Sequence, residues 1–496
     1  MIMTVGKMAS FTLRLPFTLG LSKFTNIISR QHGQRIWTRT FLTQAAPVLS
    51  VLPEIGFMDE HMDISASGLQ PGQRVALRAR VRSECGRFGF ESQGHYEADA
   101  DGRLSVNTQP SLGGTYTGIE PMGLLWSMLP DEVSVRKLAR LVKIEPTVHQ
   151  WVYTFDLFDG INGDTREADG AIDSKVVNRI FLSPNVEMTS VKCGSAVGML
   201  YMPREDAVPG PLPLIIDLPG LSPRSVQDRA PLLASHGFAV FDLDYLSPVR
   251  DELESIGYSI CIDSKMFYDV LDFARNHPRL DADRVGLSGA CYGGTIALFA
   301  TSLLADLPVR CAVMQRIYDA LLFSGFRLSD GSPIILPWHP DDFTTTEVRE
   351  DGRSWITYKR DHRVFDETTR GSYIAQVEGI SCPLLFLVCE GDTIPTERCM
   401  MRAAHRLEEA GKGHLLDYTS LPGAGHLLEV PYVPLCPQSR LYLPHFADVT
   451  YIQWGGDQLL HAKAQETAWR KTINFFRTHL GPMTMLRNDW VDEDLA

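Results

Sequence analysis

Residues 283–294 read DRVGLSGACYGG and lead into an apolar segment at 295–304. Gly289-x-Cys291-x-Gly293 matches the G-x-nucleophile-x-G pattern of a sharp strand-to-helix turn, with cysteine in place of the usual serine. Small residues on both sides of the nucleophile let the chain reverse without a clash. The positive end of the following helix lowers the pKa of a thiol. The sequence therefore predicts a strand, a nucleophilic Cys291 exposed above the sheet, and a helix.

Ser288 is an alternative nucleophile, because GLSGA at 286–290 is a looser form of the same pattern. With Ser288 in that role, the strand before it shrinks to about three residues and Ala290 stands where glycine is preferred. With Cys291, the strand is longer and glycine stands on both sides. We therefore favour Cys291, and two alternatives stay open: Ser288 as nucleophile, or Cys291 as a small buried apolar residue.

A thiol nucleophile needs a base and an acid that orients the base. In folds with this turn, the acid and then the histidine follow the nucleophile along the chain. Asp392 comes after the apolar segment 384–388, with Glu390 as a weaker rival, and His426 comes after a glycine-rich turn. Each has an ordinary alternative: Asp392 could simply be an aspartate in a β-turn, and His426 a loop histidine whose hydrogen bonds are structural. The ordered triplet nevertheless favours Cys291, Asp392 and His426 as catalytic residues.

An acyl-transfer site also needs donors for the developing oxyanion. The backbone N–H of Tyr292, directly after the nucleophile, is the first candidate. The second donor is expected after the first core strand, at Pro219-Gly220-Leu221. Proline has no N–H, so Gly220 or Leu221 is the candidate, and a plain Pro-Gly turn is the alternative.

From about residue 195 the sequence alternates short apolar runs with amphipathic helices. Such alternation predicts a mostly parallel sheet with helices on both faces. The strand candidates are 212–218, 238–245, 285–289, 309–314, 384–388 and 415–420, and the helix candidates are 225–236, 263–276 and 295–304. Residues 316–380 interrupt this rhythm with polar, proline- and aromatic-rich sequence. We interpret them as an insertion or lid, with a plain surface excursion as the alternative.

Residues 54–190 follow a different pattern, with a period of two. At 74–82 (RVALRARVR) apolar residues fall on one face and arginines on the other, as in a half-buried antiparallel strand. Similar segments occur at 95–98 and 151–158. Several short strands without a strong helix predict a β-sandwich, whose expected role is to pack against or shape a site.

The first 53 residues contain no Asp or Glu, but six basic residues are interleaved with Ser, Thr and apolar side chains. The basic residues are Lys7, Arg14, Lys23, Arg30, Arg35 and Arg39. A basic, hydroxyl-rich segment that lacks acids and can form an amphipathic helix is typical of a mitochondrial presequence. We therefore expect residues 1–45 to be a transit peptide. The alternative is an N-terminal leader with no targeting function.

The composition excludes several protein classes. With 496 residues, 44% of them hydrophobic and 22% charged, the chain is typical of a globular protein of two domains. Its formal net charge of −13 argues against a nucleic-acid partner, and no apolar run is long enough to span a membrane. The nine cysteines are dispersed without metal-ligand spacing, which favours a reducing compartment, no disulfides and no metal site.

Several longer segments resemble the acyl-coenzyme A thioesterase family that also contains bile acid-CoA:amino acid N-acyltransferase. The resemblance covers roughly residues 52–481, and its most specific part is 113–126 (GGTYTGIEPMGLLW). The other matching segments are 68–73 (GLQPGQ), 95–99 (HYEAD), 425–429 (GHLLE), 431–436 (PYVPLC) and 454–456 (WGG).

This resemblance implies an α/β-hydrolase catalytic domain at 195–482, preceded by an N-terminal β-sandwich domain at 54–190. It also implies Cys291, Asp392 and His426 as the triad. The match departs at one position, because thioesterases of the family usually carry serine where this chain has Cys291, whereas the amino-acid transferase carries cysteine.

Both classes cleave an acyl-CoA thioester through an acyl-enzyme, and they differ in whether water or an amine accepts the acyl group. We expect hydrolysis of fatty acyl-CoA to free fatty acid and coenzyme A. N-acyl transfer to glycine or taurine is the alternative, and a non-catalytic binding protein on a hydrolase scaffold is the third. The expected partner is acyl-CoA, with no metal or redox cofactor. The expected location is the mitochondrial matrix, with cytosol and peroxisome as alternatives.

Overall fold

The computed structural model describes residues 24–31, 34–41, 46–143, 150–161, 170–220, 228–246, 261–304, 306–335, 340–366, 368–441, 450–483 and 486. Most of the expected transit peptide lies outside these ranges, including the apolar positions of its expected helix. Strands at 24–31 and 34–41 pair as an antiparallel hairpin. No helix in the described ranges is both long enough and apolar enough to cross a membrane.

The strands are β1 Phe24–Gln31, β2 Gln34–Phe41, β3 Val48–Leu52, β4 Ile55–Phe57, β5 Asp63–Ser67, β6 Arg74–Arg82, β7 Gly89–Glu97, β8 Leu104–Ser105, β9 Leu129–Pro130, β10 Trp151–Asp159, β11 Ala171–Ile180, β12 Val186–Cys193, β13 Ala196–Pro203, β14 Leu212–Leu218, β15 Ala239–Leu243, β16 Cys261–Asp263, β17 Leu280–Ala290, β18 Val309–Gln315, β19 Gly325–Arg327, β20 Pro333–Ile334, β21 Thr344–Val348, β22 Ser354–Tyr358, β23 Leu384–Cys389, β24 Leu416–Leu421, β25 Gln438–Leu441 and β26 Thr450–Gln453. The helices are α1 Gly123–Trp126, α2 Glu132–Lys137, α3 Arg229–Ser235, α4 Lys265–Asn276, α5 Tyr292–Leu303, α6 Pro340–Phe343, α7 Thr396–Glu409 and α8 Gln458–Leu480. Short 3-10 turns occur at Arg363–Phe365, Val377–Gly379 and Gly413–Leu415.

The C-terminal half is built on an eight-stranded sheet of order β12-β13-β15-β14-β17-β18-β23-β24. The strands from β15 to β24 are parallel, and β12 and β13 run antiparallel to their neighbours. All seven residues of β14 are buried, as expected for a strand covered on both faces. Ile215 packs in a cluster with α3 and α8, whereas Leu214 and Ile216 pack in one with α4, α5 and α7. The expectation of an α/β-hydrolase fold is confirmed.

The N-terminal half contributes two sheets. One has six strands in the order β4-β11-β10-β6-β7-β9, and the other has three in the order β3-β5-β8. Their buried side chains belong to the same hydrophobic cluster as residues of α3 and α8. These sheets therefore pack directly onto one helical layer of the α/β half.

The expected half-buried character of the strand at 74–82 is wrong at Arg78, which is only 3% exposed. Its guanidinium donates to the Asp156 carboxylate on the neighbouring strand β10 at 2.9 Å and lies over the Phe158 ring. Arg80 binds the same carboxylate at 2.8 Å. An ion pair supplied by a distant part of the chain thus allows a charged side chain to be buried, which a period-two pattern does not indicate.

The expected insertion at 316–380 contributes strands to two small sheets. Strand β19 pairs with β16 on one side and β20 on the other, and β21 and β22 join β26 and β25 in a four-stranded sheet. The start of this segment is tied to α7, because the buried Arg402 binds Asp319 through both of its carboxylate oxygens. The segment therefore packs against the catalytic half, and its role as a lid stays a prediction.

Candidate active site

The three predicted catalytic residues lie on loops that follow the carboxyl ends of three parallel strands of the same sheet. Cys291 comes directly after β17, Asp392 follows β23, and His426 follows β24. Because the strands run parallel, their carboxyl ends meet at one edge of the sheet, where ligands bind in folds of this type. The topology thus brings together residues that are 101 and 34 positions apart in the sequence.

Cys291 lies in a strained turn between β17 and α5, with φ of 54° and ψ of −128°. A side chain at Gly293 would overlap the carbonyl oxygens of Leu218 and Pro219, and one at Gly289 would overlap the backbone of Gly294. The two glycines of the pattern are therefore required by close backbone approach. The Cys291 N–H donates to the Gln315 carbonyl at 2.9 Å, which holds the turn against β18.

The three side chains form one hydrogen-bonded chain. His426 Nε2 lies 3.2 Å from Cys291 Sγ, and His426 Nδ1 lies 2.7 Å from Asp392 Oδ2. His426 and Asp392 are buried, and Cys291 keeps partial exposure. This is the geometry of a nucleophile, a base and a group that orients the base.

Asp392 is fixed by three donors. Its Oδ1 accepts the Ile394 N–H at 2.8 Å, and its Oδ2 accepts the Thr396 hydroxyl at 2.7 Å as well as the His426 ring. These bonds hold the carboxylate in one orientation, so Nδ1 of His426 is the protonated nitrogen and Nε2 faces the sulfur.

His426 is also held by its own backbone and ring. Its N–H donates to the Trp454 carbonyl at 2.8 Å, and its imidazole stacks on the Trp454 indole with ring centroids 5.2 Å apart. The indole N–H donates to Ser439 at 2.8 Å, which fixes the stacking surface. The imidazole therefore has little freedom to turn away from Cys291.

The charges favour a thiolate–imidazolium pair. Burial raises the pKa of the Cys291 thiol, but His426, Arg316 and the Tyr292 N–H together hold that pKa below its usual value. Burial lowers the pKa of His426, but the Asp392 carboxylate and the Cys291 sulfur raise it to about 9. Near neutral pH the sulfur is thus poised to act as a nucleophile.

Of the predicted oxyanion donors, Tyr292 lies where expected, at the first position of α5. Its side chain is buried, and its phenol and the Ser324 hydroxyl are 2.8 Å apart, so the start of the helix is anchored. Leu221 lies outside the described residues. Gly220 backs onto the nucleophile, because a Cβ placed on it would be 3.3 Å from the Cβ of Cys291.

Neither weaker candidate faces the imidazole. Ser288 is a fully buried residue inside β17, and its hydroxyl has no hydrogen-bond partner. Glu390 is exposed and bound by the Ser420 hydroxyl. The structure thus separates both from the chain that joins Cys291, His426 and Asp392.

A cavity of about 280 Å³ opens beside the nucleophile. The sequence reasoning missed four arginines in its wall: Arg140, Arg229, Arg316 and Arg440. Arg316 directly follows β18, so its place at the carboxyl end of a core strand could have drawn attention to it. In the described part of the chain, no group of three or more His, Cys, Asp or Glu side chains is arranged to hold a metal ion.

The chain is similar to characterised proteins over most of its length. Residues 59–193 match the acyl-CoA thioester hydrolase/BAAT N-terminal region, and residues 262–482 match the BAAT/acyl-CoA thioester hydrolase C-terminal family. Human bile acid-CoA:amino acid N-acyltransferase is 32% identical, with 88% of this chain and 98% of that protein covered. Mouse mitochondrial acyl-coenzyme A thioesterase 2 is 32% identical, with 90% and 92% covered. Mouse peroxisomal succinyl-coenzyme A thioesterase is 30% identical, with 85% and 94% covered.

Solved structures give weaker likenesses. The Pyrococcus horikoshii acylaminoacyl peptidase is 12% identical at a TM-score of 0.38, with 95% of this chain and 69% of that one covered. A carboxyl esterase from Tuber melanosporum is 14% identical at a TM-score of 0.35, with 60% and 87% covered. These scores are too low to carry an argument, so the sequence relatives decide. Their identity and coverage show that the chain belongs to the acyl-CoA thioester hydrolase and bile acid-CoA:amino acid N-acyltransferase family.

Proposed function

We propose that this protein is an enzyme that hydrolyses fatty acyl-CoA thioesters to free fatty acid and coenzyme A through an acyl-enzyme on Cys291. The observation that carries the proposal is the hydrogen-bonded chain from Cys291 Sγ through His426 to Asp392. The family relationship supports the substrate class, because the three relatives described above are all named for a CoA thioester substrate.

In the acylation step, His426 Nε2 holds the thiol proton and the Cys291 thiolate attacks the thioester carbonyl carbon. The carbonyl oxygen becomes an oxyanion beside the Tyr292 N–H, which with a donor on the 220–221 turn stabilises it. The tetrahedral intermediate then collapses, the carbon–sulfur bond to coenzyme A breaks, and the departing thiolate takes the proton from His426. The product is an acyl group in thioester linkage to Cys291.

In the deacylation step, water attacks the acyl-Cys291 carbonyl. The acylated sulfur carries no charge, so it no longer raises the pKa of His426 as it does in the free enzyme. The neutral imidazole can then remove a proton from the attacking water while Asp392 stabilises the imidazolium that forms. Release of the fatty acid restores the thiolate–imidazolium pair.

N-acyl transfer is the second candidate, and the cysteine at position 291 favours it. A thioester is more reactive toward amines than an ester, so an acyl-cysteine can pass its acyl group to the nitrogen of glycine or taurine. The human relative with 98% of its length covered is itself named as an amino acid N-acyltransferase. Both candidates share the acyl-enzyme, and only the acceptor differs.

Product analysis separates the two candidates. The purified chain is incubated with a long-chain acyl-CoA, with and without glycine or taurine, and the acyl products are measured by mass spectrometry. Free fatty acid as the main product under all conditions is expected, whereas replacement of free acid by the amide would establish transfer instead. Cys291→Ala serves as the control. Turnover that is unchanged in this variant and no faster than the reaction without protein would revive the non-catalytic binding protein.

We propose that residues 54–190 form a β-sandwich domain that shapes the site of a catalytic domain at 195–482. Contacts between the two halves support this division of labour. Arg140 binds Glu429, three residues after His426, and Asp59 accepts hydrogen bonds from the His236 and Trp469 side chains at 2.6 Å each. The N-terminal half thereby contacts the catalytic histidine loop and the helices beneath the cavity.

We propose the mitochondrial matrix as the location, with residues 1–45 as the address. The absence of acidic residues from the first 53 supports it, and one relative is named as mitochondrial, although another is named as peroxisomal. Fusion of residues 1–45 to a fluorescent protein is expected to give mitochondrial fluorescence, and a variant with its six basic residues changed to Gln should stay outside. Diffuse or peroxisomal fluorescence of the unchanged fusion would refute the address.

A further inference from the structure

Arg316 is a buried cation whose guanidinium binds no carboxylate in the described part of the structure. It lines the cavity beside Cys291 and is only 7% exposed. Its Nε and Nη1 atoms are buried and have no hydrogen-bond partner. Buried arginines are ordinarily paired, because an unpaired charge removed from water is strongly unfavourable.

The carboxylates near this arginine are engaged elsewhere. Arg229 binds Asp217 at 2.8 Å, and Arg140 binds Glu429. Asp392 is taken by His426, Thr396 and Ile394. His461, another titratable group near Arg316, stays neutral at physiological pH, because burial and the Arg316 charge lower its pKa to about 4. Among the described residues, the buried Arg316 guanidinium thus faces the cavity without a carboxylate bound to it.

The backbone places this charge at a functional position. Arg316 has a φ of 54°, a left-handed conformation that costs a non-glycine residue free energy, and only a few other non-glycine residues in the described ranges share it. One of them is Cys291. Arg316 follows β18 and Cys291 follows the neighbouring strand β17. The carbonyl of Gln315, the residue before Arg316, accepts the Cys291 N–H, so a hydrogen bond joins the two strand ends.

We propose that Arg316 is an anion subsite that binds a carboxylate or sulfonate of the substrate beside Cys291. This inference rests on the proposed function, which makes an acyl-CoA thioester the substrate that reacts with Cys291. A planar guanidinium offers paired N–H donors that match the oxygens of such an anion. The anion can come from two sources: the acid group of an amino-acid acceptor, or the far carboxylate of a dicarboxylic acyl-CoA. Either would supply the hydrogen-bond acceptors that the buried guanidinium lacks.

Alkylation of Cys291 tests the subsite without thioester turnover. Iodoacetate and iodoacetamide deliver nearly the same group to a thiolate, but only iodoacetate carries a carboxylate. The rate at Cys291 is measured for each reagent by peptide mass spectrometry. The matched variants are Arg316→Met and Arg310→Met, which remove the same charge from opposite ends of β18. Arg310 is exposed, and its guanidinium donates to the Asp283 backbone carbonyl at 2.7 Å.

The iodoacetate-to-iodoacetamide rate ratio at Cys291 is expected to fall by about tenfold or more in R316M, since one charge-assisted hydrogen-bonded pair is lost. In R310M the ratio should match the unchanged protein. An equal ratio in R316M and the unchanged protein would overturn the subsite. If Arg316 only held the oxyanion or lowered the sulfur pKa, R316M would react more slowly with both reagents and the ratio of the two rates would stay constant.

Two further arms identify the source of the anion. If the amino-acid acceptor binds there, glycine or taurine should protect Cys291 from iodoacetamide in a saturable manner, and the protection should be lost in R316M. If a dicarboxylic acyl-CoA binds there, kcat/KM for succinyl-CoA relative to butyryl-CoA should fall about tenfold in R316M. Arg316 dependence in neither arm would overturn the proposal that the subsite serves a substrate.

Folding of the variants is checked by thermal unfolding. Methionine removes a buried charge that has no partner, so R316M should melt no lower than the unchanged protein. Should R316M fail to fold, Arg316→Lys keeps the charge but loses the planar fork, and its alkylation ratio is expected to fall below that of R310M. A ratio in R316K equal to that in R310M would overturn recognition by the guanidinium fork.

Discussion

The Nδ1 atom of His426 lies 2.7 Å from Oδ2 of Asp392, and both side chains are almost completely buried. This contact joins the ends of two neighbouring strands, β23 and β24, and it fixes which ring nitrogen faces Cys291. Burial by itself would favour a neutral imidazole, so the raised pKa of His426 depends on the Asp392 carboxylate and on the sulfur. The pair is thus the electrostatic centre of the proposed mechanism.

Removal of the Asp392 charge should impair turnover. Asp392→Asn keeps the size of the side chain but places an amide beside Nδ1, so the imidazole loses its stabilising charge and its preferred tautomer. We expect kcat for acyl-CoA hydrolysis to fall about 100-fold or more. The matched control is Thr396→Val, which removes one hydrogen bond to the same carboxylate oxygen and leaves the charge. A loss in T396V as large as that in D392N would contradict a special role for the charge.

The pH dependence of alkylation reports the thiolate. Because the pKa of Cys291 is lowered, its reaction with iodoacetamide should be half-maximal below the pH at which an ordinary thiol reacts half-maximally. Cys193 is an internal control of similar exposure, whose pKa is raised by burial and by Asp269, so its half-point should lie above that pH.

His426→Gln tests the cause of this shift. It removes the main charge that lowers the Cys291 pKa, so burial should dominate and the half-point should move upward, while that of Cys193 stays in place. If the Cys291 half-point did not move in H426Q, the thiolate–imidazolium pair would be refuted.

The strand-to-helix turn around Cys291 (the elbow) offers Ser288 and Cys291 as candidate nucleophiles, and two substitutions distinguish them. The Ser288 hydroxyl is buried without a partner, so Ser288→Ala removes an unsatisfied polar group and should leave turnover within about twofold and the melting temperature no lower. Cys291→Ala should lower turnover by about 10⁴-fold or more, since it removes the attacking atom. The reverse ranking of S288A and C291A would make Ser288 the nucleophile.

Gly293 in the elbow is expected to be needed for stability. In Gly293→Ala the new methyl group would overlap the Pro219 and Leu218 carbonyl oxygens, which belong to backbone and cannot rotate away. We expect the free energy of unfolding to fall by about 3 kcal/mol or more, together with loss of activity. Gly170→Ala is the control, because a Cβ there meets nothing within 4 Å and needs no unusual backbone angle. Equal melting temperatures for the two variants would argue against a tight elbow.

The sequence predicted the elements that carry the chemistry and was less accurate at their ends. The core strand predicted at 285–289 is Leu280–Ala290, because Leu280 and Asp281 already pair with β14 before an irregularity that precedes Val285. The helix predicted at 295–304 begins at Tyr292, since Gly293 and Gly294 are poor helix formers that close packing nevertheless demands.

Features that depend on partners far along the chain escaped the sequence reasoning. Burial of Arg78 needs Asp156 from another strand, and stacking of His426 needs Trp454 from a later loop. Arg316 was missed because its significance comes from buried N–H groups that have no hydrogen-bond partner in the described residues, which no residue pattern encodes. By contrast, the order of Cys291, Asp392 and His426 follows from strand order, so their proximity was predictable.

Trapping the acyl-enzyme tests the central claim most directly. The protein is mixed with a long-chain acyl-CoA, quenched in acid within the first turnovers, digested and analysed by mass spectrometry, with Cys291→Ala treated in parallel. The account predicts an acyl adduct on the peptide that contains residue 291, located on the cysteine, released by hydroxylamine and absent from C291A. An adduct on Ser288 or on any other residue, formed equally in C291A, would contradict it.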